Sequence, residues 1–491
     1  MRTRRALVIG SGFGGLAAAV RLGARGYEVT VVEQLSEAGG RARVHRQDGF
    51  TFDAGPTIVT APFLFEELWS LCGRSLADDV ELHSLDPFYR IRFDDGRTFD
   101  VSADGDRMRA QIARFDPGDV DGYDRLQEIS RKIYEVGFER LGREPFDHAT
   151  DMLRALPALV RLQGYRSVYG LVSRYIKDPQ LRMLFSFHPL LVGGNPLTTT
   201  SVYALIAHLE KRWGVHYVMG GTGRLVAALV DLIEGLGGTF RFDAEVARIV
   251  VRDGEARGVV LKSGESLDAD VVVSNADPLL TYGTLIPSGQ CRRRNASTRT
   301  RMRSSMSLFV WYFGTDRKYE ELPHHMILMG PRYRELLRDI FDRHTLADDM
   351  SLYLHRPTAT DPSVAPEGCD AFYVLSPVPH LEAGIDWETA AEPYRQRIAA
   401  RLEATVLPGL NAHVVTSRVT TPLEFRDQLL SFRGAAFGPE PVLTQSAWFR
   451  PHNRSEDVAN LYLVGAGTHP GAGLPGVVSS AAVLERFLDD V

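Results

Sequence analysis

The chain opens with Ala6-Leu-Val-Ile9-Gly10-Ser-Gly12-Phe-Gly-Gly15, an apolar run that passes directly into a glycine-rich turn. The pattern predicts a buried strand over residues 6–9, a helix over residues 15–25 and a second strand over residues 28–32. Glu33 ends that second strand, about 20 residues after the turn. This order of elements predicts a dinucleotide-binding βαβ unit at the start of an α/β fold.

Each residue of this fingerprint has a physical task. Gly10, Gly12 and Gly15 permit a tight turn, a close approach of backbone to a diphosphate and close packing of the helix on the strand. The helix N-terminus stabilises the diphosphate charge, and Glu33 accepts hydrogen bonds from the ribose hydroxyls. We therefore assign these four residues to cofactor binding rather than to a plain turn.

A second glycine segment, Gly39-Gly40-Arg41, follows the βαβ unit and precedes the Gly/Pro-rich loop Phe52-Asp53-Ala-Gly55-Pro56. The two together resemble the extension of glutathione-reductase-type FAD families, in which the arginine stabilises the diphosphate and the loop approaches the isoalloxazine. The resemblance implies FAD and places Gly40, Arg41, Asp53 and Gly55 at its site. A surface salt bridge is the alternative for Arg41.

Residues 461–481 near the other end predict a strand, a glycine loop and a helix that form a second flavin clamp, with Gly465, Thr468, Gly476 and Val477. Backbone N–H groups at such a helix start can stabilise the negative charge that develops on a flavin during reduction. The strand predicted over residues 269–273 leads to Asn275 and resembles one that passes beneath the cofactor.

The remaining cofactor assignments concern the middle of the chain. Val246 lies in the strand region over residues 239–260 and is assigned to the same FAD site. Gly220-Gly-Thr-Gly223 lacks the GxGxxG spacing, and no second strand–GxGxxG–helix unit occurs. A nicotinamide cofactor is therefore not expected, and electrons must leave the flavin for oxygen or a quinone.

Longer segments carry a more specific resemblance. They include Phe185-Ser-Phe-His188-Pro-Leu-Leu-Val-Gly-Gly-Asn195-Pro, Gly330-Pro-Arg-Tyr-Arg-Glu335 and Thr444-Gln-Ser-Ala-Trp-Phe-Arg-Pro-His-Asn453. Over nearly the entire chain, such segments resemble bacterial phytoene desaturases. Ala466 is a departure, because many members of the wider amine-oxidase-like superfamily carry an acidic residue there that contacts the ribityl chain.

Composition narrows the remaining possibilities. At 491 residues the chain has room for two or three domains. Its 56 Lys+Arg and 62 Asp+Glu give a net charge of -6, which argues against nucleic acid as the main partner.

Cys72, Cys291 and Cys369 show no metal-ligand spacing, so no metal site is predicted and a reducing cytoplasm is expected. The basic start before Ala6 mimics a signal peptide, but the glycines that follow favour strand and turn.

The expected fold is α/β: a Rossmann-type, glutathione-reductase-like FAD-binding domain with an inserted mixed α+β substrate domain and a helical, membrane-facing part. Both domains are expected to be discontinuous. The cofactor domain comprises residues 1–88, 219–300 and 440–491, and the substrate domain residues 89–218 and 301–439. Local patterns further predict a helical stretch over residues 151–176, a strand over residues 306–313, a turn at Asp253-Gly254, and loops and edge strands over residues 357–379.

The resemblance implies FAD-dependent desaturation of phytoene, giving a more conjugated product such as lycopene or neurosporene. Since this polyene has no polar group, its binding must depend mostly on apolar contacts. The mechanistic hypothesis is hydride transfer from an allylic carbon to flavin N5, followed by proton loss to a base. Asp151, at the start of an apolar helical run, is one candidate because desolvation can raise its pKa, and an ordinary helix N-cap is its alternative. His188 is a second candidate, with a satisfied core histidine as its alternative.

The substrate is insoluble in water, so peripheral association with the inner face of the cell membrane, from the cytoplasm, is expected. No run of about 18 apolar residues that could span a bilayer occurs. Two basic segments are candidate docking sites, residues 151–177 and the arginine run Arg292-Arg-Arg294, Arg299, Arg301 and Arg303. A solvated face is the alternative in both cases.

Rival functions stay open at this point. Within the same flavin superfamily, a carotenoid isomerase, a polyene saturase and an amine oxidase are alternatives that product identity separates. In a different class stands a prenyl-lipid-binding escort protein resembling the Rab GDP-dissociation inhibitors. The intact glycine loops at both ends of the chain argue against that last possibility.

Overall fold

A five-stranded parallel sheet joins the beginning, the middle and the end of the chain. The structure is a computed structural model and describes residues 3–287, 289–291 and 301–488. In spatial order, the strands of this parallel sheet are Thr239–Arg241, Glu28–Val32, Arg5–Ile9, Val271–Ser274 and Leu461–Leu463. Segments far apart in sequence therefore share one core.

The N-terminal apolar run forms the middle strand because it can be buried on both faces. Helix Phe13–Ala24 follows it and packs against the helices Thr222–Gly235 and Leu474–Leu484 on one side of the sheet. The small side chains of this first helix are buried, which lets the three helices approach closely. The predicted βαβ unit and its Rossmann-type fold are thus confirmed.

The other side of the parallel sheet is covered by a three-stranded antiparallel sheet of Val246–Arg252, Glu255–Leu261 and Ser266–Asp268. Ile249 and Val259 of this sheet share a buried cluster with Leu7 of the middle strand. The first two strands are joined at Asp253 and Gly254, which both have positive φ, as two-residue hairpin turns require. The turn predicted there is present.

A seven-stranded mixed sheet forms the second large layer. In spatial order its strands are Val414–Thr420, Ser307–Thr315, Asp370–Val378, Leu352–His355, His325–Leu328, Tyr89–Arg92 and Thr98–Val101. The prediction of loops and edge strands over residues 357–379 was wrong in part, because Asp370–Val378 lies inside this sheet. Pro377, which suggested an edge, occupies the end of that strand, opposite Leu308.

Smaller elements connect the two layers. Two further sheets are Val44–Gln47 with Phe50–Asp53, and Val59–Thr60 with Val215–Val218 and Leu82–Ser84. The remaining α-helices of the described residues are Phe63–Leu71, Gly105–Phe115, Val120–Tyr134, Ala149–Arg161, Val168–Tyr175, Pro179–Ser186, Leu205–Trp213, Pro278–Leu280, Tyr333–Phe341, Trp387–Thr405, Leu410–His413 and Pro422–Asp427.

The helical stretch predicted over residues 151–176 consists of two helices rather than one. The first, Ala149–Arg161, ends before Gln163, whose φ is positive. The second, Val168–Tyr175, begins with a new cap, in which the Ser167 hydroxyl accepts a hydrogen bond from the Gly170 N–H at 3.0 Å. A left-handed residue followed by a serine cap is enough to break the periodic pattern.

Replacing Gly15 by alanine tests the helix–strand packing. A Cβ atom there would overlap the backbone carbonyl oxygen of Gly10, which cannot move without distorting the turn. We expect Gly15→Ala to lower the free energy of unfolding by about 1–3 kcal/mol or more, measured by denaturant unfolding. Gly235→Ala is the matched control, because a Cβ there meets nothing within 4 Å. Equal stability of the two variants would contradict the packing.

Candidate functional site

One continuous cavity of about 590 Å³ runs from the parallel sheet to the seven-stranded sheet. Its first part, here called the nucleotide end, is lined by Gly10, Gly12, Glu33, Gly40, Arg41 and Val246. Its second part, the apolar compartment, is lined among others by Met152, Ala155, Leu159, Leu190, Leu308 and Leu352. The two parts open into each other without a dividing wall.

Glu33 lies buried at the carboxyl end of its strand, facing the nucleotide end of the cavity. One carboxylate oxygen accepts hydrogen bonds from the Ser11 N–H at 2.8 Å and the Ser11 hydroxyl at 2.7 Å. The other accepts from the Leu35 N–H at 3.0 Å. The carboxylate is therefore held in place by the glycine turn itself, and a ribose would meet a fixed acceptor.

Arg41 is the cation of the nucleotide end. Its Nη2 donates to the Ser431 hydroxyl at 2.8 Å, while its Nε is buried and has no partner in the described part of the chain. Desolvation lowers the pKa of the guanidinium, and the carboxylate of Asp277 opposes this shift. A buried guanidinium with an unused donor fits an anionic group such as a diphosphate.

Asn275 ties the two glycine loops together. Its Nδ2 donates to the Gly10 carbonyl at 3.4 Å, and its side chain fills the space that Cβ atoms on Gly14 or Gly465 would need. Glycine is required at both positions because the Asn275 amide packs directly on the backbone. Asn275 also lines the nucleotide end.

The C-terminal loop ends in the helix Leu474–Leu484, and Gly476 and Val477 in its first turn line the cavity. A Cβ on Gly476 would come 2.5 Å from the Gly471 carbonyl oxygen, so the loop folds back tightly on the helix start. Thr468 is fully buried and donates to the Gly465 carbonyl at 3.1 Å. The structure thus places Thr468 inside the loop and not on the cavity surface.

Asp53 also lies away from the cavity lining. Its carboxylate accepts hydrogen bonds from the N–H groups of Thr222 at 2.9 Å and Gly223 at 3.2 Å, at the start of helix Thr222–Gly235. Burial raises its pKa to about 6, although the two N–H donors act in the opposite direction. Asp53 therefore caps a helix, whereas the neighbouring Gly55 does line the cavity.

The nucleotide end has the features that a dinucleotide needs. Gly12 and Gly40 have no side chain to keep a ligand away from the backbone, and the Glu33 carboxylate is held in place as a hydrogen-bond acceptor. Arg41 has a donor without a partner among the described residues. The helix starts at Phe13 and Leu474 both face this region. FAD fits this set of groups.

Asp151 is placed at the N-terminus of helix Ala149–Arg161. Its carboxylate accepts from the His148 N–H at 3.1 Å and from Arg154 Nη1 at 3.3 Å. It is not among the residues that line the cavity, although its neighbour Met152 is. The contacts are those of a capping box, and the role of catalytic base stays a prediction.

His188 is buried in a cluster with Tyr89 and Glu210. The Tyr89 hydroxyl donates to a Glu210 carboxylate oxygen at 2.9 Å, and His188 Nε2 lies 3.1 Å from that hydroxyl and 3.3 Å from the same oxygen. The pKa of Tyr89 is raised well above its usual value by burial and by the Glu210 charge, so the hydroxyl stays a donor.

Glu210 is the site residue that sequence reasoning missed. Its second oxygen, Oε1, is buried without a partner in the part of the chain that the structure describes, and the residue lines the cavity. A signal was present in the sequence, since Glu210 shares the apolar face of helix Leu205–Trp213 with Ile206 and Leu209.

A nucleotide cradle that opens into an apolar compartment defines a dinucleotide-dependent oxidoreductase for an apolar substrate. Residues 13–482 match the family described as flavin containing amine oxidoreductase. A lycopene-forming phytoene desaturase of Pseudescherichia vulneris is 51% identical, covering 99% of this chain and 100% of the relative. The neurosporene-forming phytoene desaturase of Cereibacter sphaeroides is 50% identical over 99% of this chain and 95% of its own.

The chain therefore belongs to the bacterial phytoene desaturases within the flavin-containing amine oxidoreductase family. The resemblance that the longer sequence segments indicate is confirmed, as are the enzyme class and FAD as cofactor. A 4,4'-diapophytoene desaturase of Methylomonas is more distant, at 34% identity over 99% of this chain and 95% of its own.

Solved structures show the same fold at low identity. Putrescine oxidase bound to putrescine superposes with a TM-score of 0.64 at 15% identity, covering 99% of both chains. An oxidoreductase from Methanosarcina mazei gives a TM-score of 0.64 at 18% identity over 98% of this chain and 100% of its own. These likenesses support the fold alone.

Arg41→Met tests the diphosphate contact. The variant keeps most of the side-chain volume but removes the charge, so a charge-assisted hydrogen bond worth about 1.5–3 kcal/mol is lost. We expect FAD to bind roughly 10- to 100-fold more weakly, measured by titrating the apoprotein and following flavin fluorescence. Arg46→Met, at an exposed position outside the cavity lining, is the control. Unchanged FAD affinity in Arg41→Met would show that Arg41 does not bind the diphosphate.

Asp53→Asn tests the buried carboxylate through pH. Because the folded-state pKa is raised from 3.8 to about 6, the folded protein holds the proton more tightly, so this group's contribution to stability falls as pH rises from about 4 to 6. The variant lacks this loss, and its free energy of unfolding relative to wild type should rise by about 2 kcal/mol between pH 4.5 and pH 7.5. Thermal unfolding at these two pH values measures the change, and an equal difference between variant and wild type at both pH values would contradict it.

Proposed function

We propose that this chain introduces C=C bonds into phytoene to give lycopene or neurosporene. The observation that carries the proposal is the apolar compartment, which continues from the nucleotide end and is lined mostly by hydrocarbon side chains. The relatives that share half of their residues with this chain carry both product names. An isomerase, a saturase or an amine oxidase would give a different product, so product identity decides among them.

A C40 substrate is favoured over a C30 substrate. Identity is 51% to the phytoene desaturase of Pseudescherichia vulneris but 34% to the diapophytoene desaturase of Methylomonas.

Bound FAD would supply a hydride acceptor. Arg41 and the bare backbone at Gly12 and Gly40 would hold its diphosphate, and Glu33 would hold its ribose. The residues of the apolar compartment exclude water from the reacting carbon atoms, which strengthens every charge interaction there.

The chain must also take a proton from the substrate, and we propose Glu210 as the acceptor, with His188 and Tyr89 as its partners. Its Oε1 is the unpartnered oxygen of the cluster, and the residue lies in the cavity wall. A carboxylate has no use in binding a hydrocarbon, whereas it stabilises a developing cation and can accept its proton. Asp151 competes for the role but uses its oxygens to cap a helix.

Comparing Glu210→Gln with Asp151→Asn separates the two candidate bases. Both variants are assayed with FAD loaded and phytoene in liposomes, and the coloured polyene product is measured over time. We expect Glu210→Gln to form product on the order of 10²-fold more slowly while keeping its FAD. Asp151→Asn should lose about 1 kcal/mol of stability from its cap and little of its rate. A larger loss of rate in Asp151→Asn than in Glu210→Gln would instead identify Asp151 as the base.

The electron acceptor is proposed to be oxygen or a membrane quinone. The segment Gly220–Gly223 is engaged within the fold, with the Gly220 N–H donating to Asp361 at 2.7 Å and the Gly223 N–H to Asp53 at 3.2 Å. This leaves it unsuited to cradle a nicotinamide dinucleotide. Reoxidation of the reduced enzyme by dissolved oxygen or by a quinone in liposomes separates the two acceptors.

We propose that helix Ala149–Arg161 docks the enzyme on the inner face of the cell membrane. Leu153, Leu156 and Val160 form an outward stripe at helical spacing and are 66%, 49% and 57% exposed. The opposite face of the same helix lines the apolar compartment, so a polyene would pass from lipid to cavity beside a single helix. Among the described residues, no helix combines the length and the apolar character that crossing a bilayer requires.

Basic side chains beside this stripe support a charged membrane surface as the partner. Arg154, Arg161 and Arg174 are exposed on these two helices. Of the second basic run, residues 292–294 and Arg299 lie outside the described residues. Arg303 forms an ion pair within the protein, because its Nε lies 2.9 Å from the buried carboxylate of Glu440.

Leu153→Ser combined with Leu156→Ser tests the membrane contact. Burying two leucines in the interface contributes about 3 kcal/mol or more, so the double variant should bind anionic liposomes on the order of 10²-fold more weakly in a pelleting assay. Val415→Ser, which removes a 52% exposed apolar side chain on an edge strand, is the control. If the control loses binding equally, or the double variant loses none, the docking face lies elsewhere.

A further inference from the structure

Three buried histidines meet where two strands of the seven-stranded sheet pair. His325 begins the strand His325–Leu328 and lies directly opposite His355 in the antiparallel register. His324 precedes His325 along the chain. One ring nitrogen from each of the three lies within 4.8 Å of the other two. The adjacent histidines and the one 30 residues later carry no metal-ligand spacing, so the sequence did not predict the cluster.

The outward nitrogens of two rings are fixed by hydroxyl groups. His324 Nδ1 lies 2.6 Å from the Thr360 hydroxyl, and His325 Nδ1 lies 2.8 Å from the Tyr353 hydroxyl. Metal-ligating histidines are oriented in this way, with the second ring nitrogen held by an oxygen partner. The arrangement leaves both Nε2 atoms facing the centre of the cluster.

One of the inward nitrogens lacks a partner. His324 Nε2 and His355 Nε2 are 3.0 Å apart and form a hydrogen bond with each other, whereas His325 Nε2 is buried with no hydrogen-bond partner in the described ranges. Two nitrogens bound to one ion at about 2.0–2.1 Å would be separated by a similar distance. A buried ring nitrogen without a partner is rare in folded proteins, and it calls for a ligand.

All three rings are buried. Burial favours the neutral imidazole over the charged form, and the neutral imidazole is the form that binds metals. The nearby Arg356 is engaged with Asp370 at 2.9 Å.

We propose that His324, His325 and His355 form a binding site for a divalent first-row transition-metal ion, with Zn²⁺ as the ion that suits three imidazoles best. The role is structural. Tyr353 lines the apolar compartment, and its hydroxyl lies 2.9 Å from that of Thr57, which follows the Gly55 loop. A bound ion would hold His325 and thereby fix Tyr353 and this loop. The proposal stands independently of the substrate and the reaction.

Metal content of the FAD-loaded full chain tests the proposal. The protein is incubated with Zn²⁺, desalted and measured by plasma mass spectrometry, with Co²⁺ substitution followed by its visible absorption. We expect one ion per chain, a tetrahedral or five-coordinate Co²⁺ spectrum, and at least a tenfold loss of retained metal in His355→Gln with FAD content unchanged. His380→Gln is the matched control, since the buried His380 contacts only one other histidine ring, His344, among the ring contacts of the described residues.

Wild type that retains no Zn²⁺ at micromolar free concentration would overturn the proposal, as would equal retention by His355→Gln and wild type. If His355→Gln does not fold, the wild-type protein decides alone. Its Co²⁺ spectrum should appear, and a chelator should lower its Tm by several degrees. A Tm that is insensitive to both metal and chelator would equally refute the site.

Discussion

Backbone packing around Asn275 is the contact on which the rest of the molecule depends. Its amide sits against Gly10 and Gly14 from the start of the chain and against Gly465 from its end. A side chain at Gly14 or Gly465 would force the two loops apart. Because residues of both loops line the cavity, the cofactor site exists only when residues separated by more than 400 positions have come together.

The apolar compartment depends on that junction and extends it towards the surface. Helix Ala149–Arg161 has two apolar faces, one lining the cavity and one exposed. Such a helix is unfavourable in water and favourable at an interface between lipid and protein. Glu210 lines the same cavity, and in the proposed mechanism its carboxylate acts on charge that develops in the substrate and not on the substrate at rest.

Local sequence patterns were sufficient to predict the parallel sheet and most of the residues at the nucleotide end. The glycine turn, the strand periodicity and the acidic residue at the end of the second strand all reflect geometry over short stretches of chain. They were insufficient where a residue's partner is remote. Asp53 was assigned to the cofactor by its neighbours, yet it caps the helix at Thr222. Asp370–Val378 was expected at an edge because it lies in the Pro-rich stretch of residues 357–379, but its pairing partners on both sides made it interior. Glu210 and the three histidines could not be grouped until the fold placed their elements side by side.

The most direct test of this account is to mix the FAD-loaded enzyme anaerobically with phytoene in liposomes and to record the flavin absorption and the polyene spectrum together. We predict that the flavin band bleaches while longer-wavelength polyene bands appear, since each new double bond requires one two-electron reduction of FAD. A flavin that stays oxidised in the presence of phytoene, or polyene bands that shift without bleaching, would contradict desaturation and point to isomerisation or lipid binding.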